Sequence, residues 1–500
     1  MPIPLPLNSL TVPVQMRRMR LGVRTLERFQ ALILLIPPDP PRSAWTDLPH
    51  GRQLQALHER KTRRAGDAFA ATVGDAGTLV VIGCAGADSS MFERLQLAQK
   101  CTKLALESAP RNVLVAQRLP APAAGNAISA LLSALQAGAF ELPTFKSKPR
   151  RDPRLRQISL ADRLPADALA STLATAAGNN LARWLTALPP NELDARSYRR
   201  YLQRIAAQSG FRMRFFSEAQ LKRLGAGAFL AVSQGNATRD AGIVHLSHRP
   251  GGARAPKLCL VGKGICFDTG GTNLKPHRSM LDMHIDMEGS AVALGTMLAL
   301  VRTDPKIAVD CWMAITENRI GPTASKPQDV VRALNGTTIQ MIHTDAEGRM
   351  VLADTLALAA RSNPGAIIDY ATLTGACIHA LTERYSGAFT NRMASRLSIE
   401  AAGAQSGERV WCFPMDEDFD ADIESQVADI KQCAVEGKGD HILAARFLNR
   451  FVPPNIPWLH LDLSAGHRQG GLGGIGTDIT GFGVRLSLQL IGNGWPRTRD

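Results

Sequence analysis

The sequence predicts an α/β fold in which a small N-terminal α/β domain precedes a larger C-terminal α/β domain with a mixed central sheet flanked by helices. Three observations carry this prediction. Apolar runs of strand length alternate with segments of helical spacing, the pattern changes near residue 165, and 500 residues suffice for two hydrophobic cores. The predicted division is residues 1–165, which include a linker and could provide oligomer or nucleic-acid contacts, and residues 166–500.

The first 165 residues contain short apolar runs separated by helix-like segments. The predicted strands are residues 31–37 (ALILLIP), 78–84 (TLVVIGC) and 112–119 (NVLVAQRL). The predicted helices are residues 89–109 and 127–138, where Leu and Ala recur at helical spacing. Residues 145–157 (FKSKPRRDPRLRQ) are dense in charge and proline, which is typical of an exposed linker.

From about residue 170 the pattern becomes helix, proline break and helix, with the break at Pro189-Pro190. Further strands are predicted at residues 257–262, 309–315, 338–343, 366–373 and 457–463. Helical stretches near residues 286–303, 352–362 and 441–451 separate them. Strands that alternate with helices predict a largely parallel or mixed sheet covered on both faces, with functional groups at the strand ends.

The composition is that of an ordinary globular protein, with 45% hydrophobic residues. The N-terminus lacks the pattern of a secretory signal, and the apolar run at residues 31–36 is too short to cross a bilayer, so we expect a cytoplasmic protein without a membrane partner. The eight cysteines form no CxxC pair and are expected to be reduced and mostly buried.

The net charge of +14 is unevenly distributed. Up to residue 163 there are 23 Lys and Arg against 12 Asp and Glu, which places about +11 in the first third of the chain. Such a surplus can mark a nucleic-acid footprint. A solvated basic surface or an oligomer contact is the simpler interpretation, because no DNA-binding motif and no aromatic-interleaved patch accompanies the charge.

Residues 343–349 (HTDAEGR) place two carboxylates and a guanidinium within five residues. In an extended segment side chains alternate, so Asp345, Glu347 and Arg349 are predicted to project to the same side. Two close carboxylates repel each other unless a cation lies between them. The predicted cation is a divalent metal.

A second segment, residues 261–271 (VGKGICFDTGG), follows an apolar run and contains Lys263 and Asp268. Lys275 comes shortly after it. The GKG triplet lacks the spacing of a phosphate-binding loop, which makes that interpretation weak. Lys263 and Asp268 are instead predicted to lie at a pocket, where glycines let the backbone bend closely.

Two more segments carry carboxylates next to apolar runs. Residues 280–289 (MLDMHIDMEG) open a helix, and the preference of carboxylates for helix N-termini is sufficient to explain Asp282. Asp286 is predicted to be a metal ligand, because the segments at residues 261–271 and 343–349 supply further carboxylates for the same site. Asp369 lies inside an apolar strand and is predicted to have a structural or supporting role.

These segments together predict a cage of oxygen ligands. The cage consists of Asp268, Asp286, Asp345 and Glu347, with Lys263 as a nitrogen donor. Hard divalent ions such as Mn²⁺ or Mg²⁺ suit it, and Zn²⁺ stays open. Four carboxylates exceed what one cation needs, so two metals about 3.5–4 Å apart are predicted, as in dinuclear hydrolases.

Several segments resemble the motifs of the leucyl aminopeptidase family of dinuclear metallopeptidases, also called cytosol aminopeptidases. They are VGKGICFDTGG, LKP, DMHIDMEGSAVALG, TEN, HTDAEGRMVLADTLALAAR and ATLTGAC. The resemblance covers roughly residues 170–490 and includes LTALPPNEL and VADIKQCAVEGKGDHILAARFL. The first 165 residues match the family only in size and in being α/β.

The resemblance implies two divalent metal ions per subunit, Mn²⁺ or Zn²⁺. The implied ligands are Lys263, Asp268, Asp286, Asp345 and Glu347, with Asp268 and Glu347 shared between the ions. The two other catalytic groups fall on Lys275 and Arg349. Lys275 would stabilise the oxyanion that forms when a metal-activated water attacks the peptide carbonyl. Bicarbonate held by Arg349 would shuttle the proton.

The resemblance further implies an aminopeptidase that removes N-terminal, preferably hydrophobic and leucine-like, residues from peptides. It implies a homo-hexamer as the assembly. The residues that fall along the wall of the side-chain pocket are Met283, Thr372, Leu373 and Gly375.

This sequence departs from the family pattern at four places. They are His343 in place of Asn, Glu288 and Ser290 where smaller residues are common, Lys326-Pro327-Gln328-Asp329 in place of Lys-Pro-Gly-Asp, and Asp440-His441 within a loop of small residues. These residues are expected near the substrate groove. These departures concern the preference for the substrate side chain, and all of the implied metal ligands are present.

Two other functions are considered. A DNA-binding or regulatory protein would use the basic N-terminal domain, with or without peptidase activity, and would make nucleic acid a partner. A dinuclear phosphoesterase would explain the carboxylates, but it explains neither Lys263 as a ligand nor the TDAEGR context.

Overall fold

The structure is a computed structural model that describes residues 3–120, 123–148, 155–254 and 256–496. Its strands are β1 (Val14–Met16), β2 (Ala31–Ile36), β3 (Ala68–Val73), β4 (Thr78–Cys84), β5 (Asn112–Gln117), β6 (Gln157–Leu160), β7 (Arg212–Ser217), β8 (Gly242–His248), β9 (Leu258–Asp268), β10 (Val309–Asn318), β11 (Val330–Arg332), β12 (Thr338–Gln340), β13 (Ile367–Ala371), β14 (Ser386–Thr390), β15 (Val410–Cys412), β16 (Ile430–Lys431) and β17 (Trp458–Asp462).

Helices connect most of these strands. The α-helices are α1 (Val23–Leu26), α2 (Ser43–Thr46), α3 (Gly51–Glu59), α4 (Met91–Leu106), α5 (Ala123–Ala139), α6 (Ala166–Thr186), α7 (Ala195–Ser209), α8 (Glu218–Leu224), α9 (Gly227–Ser233), α10 (His277–Met280), α11 (Glu288–Thr303), α12 (Glu347–Ala360), α13 (Gly375–Leu381), α14 (Arg396–Ser406), α15 (Asp440–Asn449) and α16 (Val484–Gly492). Short 3-10 helices span Leu7–Ser9, Pro250–Gly252, Met283–Met287, Thr382–Arg384, Met393–Ser395 and Glu417–Ile423.

The N-terminal part forms a six-stranded sheet in the order β1-β6-β5-β2-β4-β3. All neighbours are parallel except β3, which runs antiparallel to β4. The predicted strands and helices of this part are confirmed by β2, β4, β5, α4 and α5. Residues 149–154 of the predicted linker lie outside the described residues, and Gln157 already begins β6, which pairs with β1 and β5. The domain division at residue 165 stays a prediction.

The second sheet has eight strands in the order β15-β14-β17-β13-β9-β10-β8-β7. Its centre is parallel, because β9 pairs in that sense with β10 and β13, and β13 with β17. Antiparallel pairs join β10 to β8, β8 to β7 and β17 to β14. The mixed central sheet flanked by helices is therefore confirmed.

Both faces of this sheet are covered by apolar side chains. Along β9, Leu258 and Leu260 pack with buried residues of α6, α7 and α11, whereas Cys259 and Val261 pack with those of α9, α12 and α15. This alternation is the two-residue period of a strand buried on both sides. All eight cysteines are buried and unpaired, as predicted. Within the described residues, none of the helices combines the length and apolar character needed to cross a membrane.

The predicted strand at residues 338–343 is wrong in extent and place. Only Thr338–Gln340 are extended, and β12 belongs to a separate sheet in the order β11-β12-β16. The strand ends because the backbone N–H groups of Ile342 and His343 donate to the side-chain oxygen of Gln432, each at 3.1 Å, instead of to a neighbouring strand. The chain is thereby turned toward the carboxyl end of β9.

Asp369 is a fully buried carboxylate in β13, and its partners lie on the adjacent strand β17. Trp458 Nε1 donates to Asp369 Oδ2 at 2.6 Å, and His460 Nδ1 lies 2.6 Å from Asp369 Oδ1. Burial alone would lower the pKa of His460, but the charge and hydrogen bond of Asp369 raise it. Asp369 thus has the structural role that the sequence predicts.

Replacing Asp369 with Ala is expected to lower the free energy of unfolding by about 3–5 kcal/mol, because His460 and the Trp458 N–H lose their buried acceptor. Urea unfolding followed by circular dichroism measures this change. Asp240→Ala is the control, since Asp240 pairs at the surface with Arg196 at 2.9 Å and is expected to matter little. Equal effects of the two substitutions would contradict the structural role of Asp369.

Candidate metal centre

Three carboxylates from three elements meet at the carboxyl end of β9. Asp268 is the last residue of β9, Asp286 lies in the 3-10 helix Met283–Met287, and Glu347 is the first residue of α12. All three are buried, and one oxygen from each lies within 4.8 Å of the others. The fold therefore gathers oxygen donors from segments that are distant in the sequence.

Two lysines lie between these carboxylates. Lys263 Nζ is 2.7 Å from Asp286 Oδ1 and 2.9 Å from Glu347 Oε1. Lys275 Nζ is 2.9 Å from Asp268 Oδ2 and 2.6 Å from Oδ1 of the fourth predicted ligand, Asp345. Each ammonium thus links two carboxylates. Every residue predicted to bind metal, together with Lys275, belongs to this one cluster.

The cluster holds four carboxylates against two lysines. Burial raises the pKa of Asp286, Glu347 and Asp345, and repulsion from neighbouring carboxylates adds to the effect. Burial alone would lower the pKa of Lys263 and Lys275, but the surrounding carboxylates outweigh it and raise both values. The lysines therefore act as internal counter-ions, and they leave an excess of negative charge that a divalent cation would neutralise.

The donors present fit divalent metal ions. Asp286 Oδ2 is buried and has no hydrogen-bond partner among the described residues, although a buried carboxylate oxygen normally has one. Carboxylate oxygens suit Mn²⁺ and Mg²⁺, and a set that includes a lysine nitrogen also suits Zn²⁺. A buried acceptor without a partner inside an acidic cluster therefore fits a site for a divalent cation.

Neutral side chains hold the carboxylates in place. Asn318 Nδ2, at the end of β10, donates to Asp268 Oδ1 at 2.8 Å and to the carbonyl oxygen of Thr344 at 3.1 Å. Thr372 Oγ1 donates to Asp286 Oδ1 at 2.7 Å, and the carbonyl oxygen of Thr372 accepts a hydrogen bond from Lys263 Nζ at 3.0 Å. These contacts fix the orientation of the acidic groups, as supporting residues do around metal sites.

Two glycines give the charged groups room. Gly270 has a φ of +87°, and a Cβ atom there would lie 2.9 Å from Asp345 Oδ1. At Gly348, in the first turn of α12, a Cβ atom would lie 2.7 Å from Lys263 Nζ. A larger residue at either position would displace a group of the cluster.

Arg349 lies in the first turn of α12, and its guanidinium is fully buried. Its Nη2 donates to both carboxylate oxygens of Asp440, at 2.8 and 2.7 Å, and its Nη1 donates to the carbonyl oxygen of Gln432 at 3.2 Å. Burial alone would lower the pKa of Arg349, but the charge of Asp440 raises it. The predicted bicarbonate position at this guanidinium is therefore next to a carboxylate of the protein itself, and bicarbonate stays a prediction.

The predicted pocket residues are distributed around the cluster. Thr372 and Leu373 follow β13 directly, and the backbone N–H of Leu373 donates to Asp462 at 3.0 Å. Met283 is half-buried in the same 3-10 helix as Asp286, and Gly375 is exposed at the start of α13. The hydroxyl of Thr372 is engaged with Asp286, so this residue supports the cluster. The role of all four as pocket wall stays a prediction.

The reasoning that led to the acidic motif is corrected in one respect. Asp345 lies in a turn, and Glu347 and Arg349 lie in the first turn of α12, so the alternation of an extended segment does not apply. The carboxylates converge because the turn directs Asp345 and the helix N-terminus directs Glu347 toward the same end of β9. Asp282 is exposed and precedes the 3-10 helix Met283–Met287 without a side-chain hydrogen bond to it, so its explanation by a helix N-terminus stays a prediction.

Sequence reasoning missed three supporting residues. Asn318 stands in the segment TEN, to which the sequence analysis assigns no role. Gln432 accepts the backbone N–H groups of the turn before Asp345 and donates from Nε2 to the carbonyl oxygen of Ala346 at 3.0 Å. Asp440 is distinguished in the sequence only as a departure from the family pattern. A polar residue outside a recognised motif gives no local signal of a partner that is distant in the sequence.

The comparisons with known proteins agree with this geometry. Residues 180–488 match the sequence profile of the cytosol aminopeptidase family, catalytic domain. A probable cytosol aminopeptidase of a Synechococcus species is 36% identical over 371 residues, which are 73% of this chain and 75% of the relative. A mutant of tomato leucine aminopeptidase has a TM-score of 0.84 and 28% identity, covering 96% of both chains. The bottromycin maturation enzyme BotP in complex with Mn has a TM-score of 0.81 and 27% identity, covering 92% of this chain and 98% of that one.

Proposed function

The chain belongs to the cytosol aminopeptidase family of peptide hydrolases, and from this premise we propose that it removes hydrophobic, leucine-like N-terminal residues from peptides with two divalent metal ions. The observation that carries the proposal is the convergence of four carboxylates and two lysines at the end of β9. A structural ion-pair cluster would balance its charges, whereas this cluster has an excess of carboxylates. We propose Mn²⁺ first, because the related BotP is seen with Mn, with Zn²⁺ as the alternative.

The residues that would hold the two ions are Lys263, Asp268, Asp286, Asp345 and Glu347. When bound, divalent ions at such a site supply the Lewis acidity that activates a water molecule and polarises a peptide carbonyl. Lys263 would have to lose its proton to serve as a ligand, and nearby cations favour that neutral form. Glu347 lies beside both Lys263 and Asn318, and this position would allow its carboxylate to contact both ions.

We assign to Lys275 the stabilisation of negative charge on the substrate. Its side chain is only 13% exposed, and its ammonium faces Asp268 and Asp345 at the outer side of the cluster. An ammonium that is preorganised in a site shielded from water stabilises a developing oxyanion more strongly than it would in solution. The backbone at Lys275 is held in the turn after β9, where its N–H donates to the carbonyl oxygen of Thr269 at 2.9 Å.

The hydrophobic preference rests on Met283, Thr372, Leu373 and Gly375. Replacing Met283 with Ala is expected to lower kcat/KM about tenfold for a leucine amide relative to an alanine amide, because a shortened wall loses contact with the larger side chain. Steady-state kinetics on both amides measure the ratio. Met393→Ala, at a residue that is 43% exposed, is the control. An unchanged ratio for M283A would remove Met283 from the pocket.

The proposal is tested with purified protein loaded with Mn²⁺ or Zn²⁺ and a panel of aminoacyl amides and dipeptides. Turnover of leucine amide that a chelator abolishes and added metal restores is the expected result. Metal analysis of the same sample gives the number of ions per chain. Absence of turnover across the panel by metal-loaded protein would overturn the proposal.

A homo-hexamer and a cytoplasmic location complete the proposal, and light scattering of the purified protein tests the assembly. The alternative of a DNA-binding or regulatory protein gains no support from the site or the comparisons. It rests on the basic N-terminal residues alone, and a band-shift titration at low salt tests it.

A further inference from the structure

Asp440 is a carboxylate at the rim of the candidate metal centre that takes no part in the lysine network. It is the first residue of α15, and both of its oxygens accept hydrogen bonds from Arg349 Nη2. The two side chains come from positions 91 residues apart in the sequence. This contact is a property of the fold and cannot arise from local sequence.

The exposure of the pair is strongly unequal. The side chain of Arg349 is 2% exposed, whereas that of Asp440 is 25% exposed. Arg349 is held from behind by the carbonyl oxygen of Gln432. The guanidinium of Arg349 is therefore held in the interior, and the carboxylate of Asp440 lies on its more solvent-exposed side.

Asp440 is joined to the candidate metal centre through the first turn of α12. Arg349, which holds the Asp440 carboxylate, lies two residues after Glu347 in that turn. Asp440 is therefore fixed to the same helical turn that carries a proposed metal ligand.

We propose that Asp440 is the proton-transferring base of the hydrolysis and that it makes free bicarbonate unnecessary. This inference rests on the proposed aminopeptidase function. A planar oxyanion bound to Arg349 would need the Nη2 donor that Asp440 already occupies. A carboxylate fixed by a buried guanidinium supplies the same acceptor as part of the chain.

The proton balance of the step is simple. The oxygen of a water molecule bonds to the carbonyl carbon of the scissile peptide, and one proton of that water passes to a carboxylate oxygen of Asp440. The bond between that carbon and the amide nitrogen then breaks, and Asp440 returns the proton to the leaving nitrogen. The products are an amino acid and a shortened peptide with a free amine, and Asp440 is again ionised.

The test compares the metal-loaded wild type with Asp440→Ala and Asp440→Asn in buffer freed of carbon dioxide, with and without added bicarbonate. Wild-type kcat is expected to be independent of bicarbonate. Asp440→Ala is expected to lose about 100-fold in kcat without bicarbonate, as for the loss of a general base, and to regain at least about tenfold with it. The rescue is expected because Arg349 Nη2, together with Nε, which has no partner among the described residues, then offers a free fork to a planar anion.

Asp440→Asn separates the roles of charge and shape. Its amide fills the space against Arg349 but accepts no proton, so we expect the same loss of kcat and no rescue by bicarbonate. Asp420→Ala is the matched control. Like Asp440, Asp420 is paired with a buried arginine, in this case Arg446 of α15, at 2.7 Å. That variant is expected to lose stability without acquiring a response to bicarbonate.

A readout other than activity completes the design. Bicarbonate is expected to raise the melting temperature of Asp440→Ala and to leave that of the wild type and of Asp420→Ala unchanged. Wild-type kcat that rises with bicarbonate, full kcat of Asp440→Ala without it, or a loss of kcat in Asp440→Ala that bicarbonate does not restore would each overturn the inference. Failure of the metal-loaded wild type to cleave any substrate would instead overturn the proposed function.

Discussion

Replacing Glu347 with Gln is expected to lower kcat/KM by more than about 1,000-fold and to abolish the thermal stabilisation by Mn²⁺. Glu347 is buried and contacts Lys263 at 2.9 Å and Asn318 at 3.4 Å, so its carboxylate lies at the centre of the cluster. A neutral amide removes one of the charges that would attract the ions, and the Lewis acidity of bound ions is worth several kcal/mol in the transition state. Kinetics, metal analysis and thermal melts with and without Mn²⁺ measure the three effects.

Asp354→Asn provides the control for a general loss of stability. Asp354 is a buried carboxylate on the same helix, α12. It accepts hydrogen bonds from the backbone N–H groups of Leu334 at 2.7 Å and Phe229 at 2.8 Å. Its substitution is expected to lower the melting temperature while the Mn²⁺-dependent increase persists. If Glu347→Gln kept its metal content and turnover, the metal centre would have to lie elsewhere.

The sequence was sufficient to predict the members of the acidic cluster but not its internal arrangement. Asp268, Asp286 and Glu347 each stand beside an apolar run, and a buried carboxylate there requires a partner. That requirement is local, so it can be recognised in one segment at a time. Which carboxylate shares which lysine depends on the order β13-β9-β10 in the sheet, and only the folded chain fixes that order.

The partners at the ends of elements could not be predicted for the same reason. Gln432 ends β12 by accepting hydrogen bonds from two backbone N–H groups about 90 positions away, and Asp440 reaches Arg349 across a similar separation. Gln432 directly follows β16 and Asp440 is the first residue of α15, so neither lies inside an apolar periodic pattern that would indicate a buried partner. The predicted strand at residues 338–343 failed because hydrophobic pattern alone does not reveal a side chain that replaces a neighbouring strand as hydrogen-bond acceptor.

Replacing Lys275 with Met is expected to have two opposite effects, a loss of kcat of about 100- to 1,000-fold and a stronger stabilisation by metal. The loss follows from removing a preorganised donor to the oxyanion. The stronger binding follows because, without the ammonium, Asp268 and Asp345 repel each other in the metal-free protein, and a divalent ion relieves that repulsion. Kinetics and the melting-temperature increase on adding Mn²⁺ measure the two effects, with Lys222→Met, at an exposed lysine of α8, as the control.

Lys263→Met distinguishes a ligand from a counter-ion. Lys263 also links two carboxylates, Asp286 and Glu347, so a counter-ion role alone would make its removal strengthen metal binding in the same way. A ligand role predicts the reverse, because the nitrogen donor is lost and a thioether is a poor substitute for hard ions. We therefore expect the Mn²⁺-induced increase in melting temperature to grow in Lys275→Met and to shrink in Lys263→Met. Growth in both variants would remove Lys263 from the ligand set, and shrinkage in both would show that Lys275, too, contributes to binding the ions.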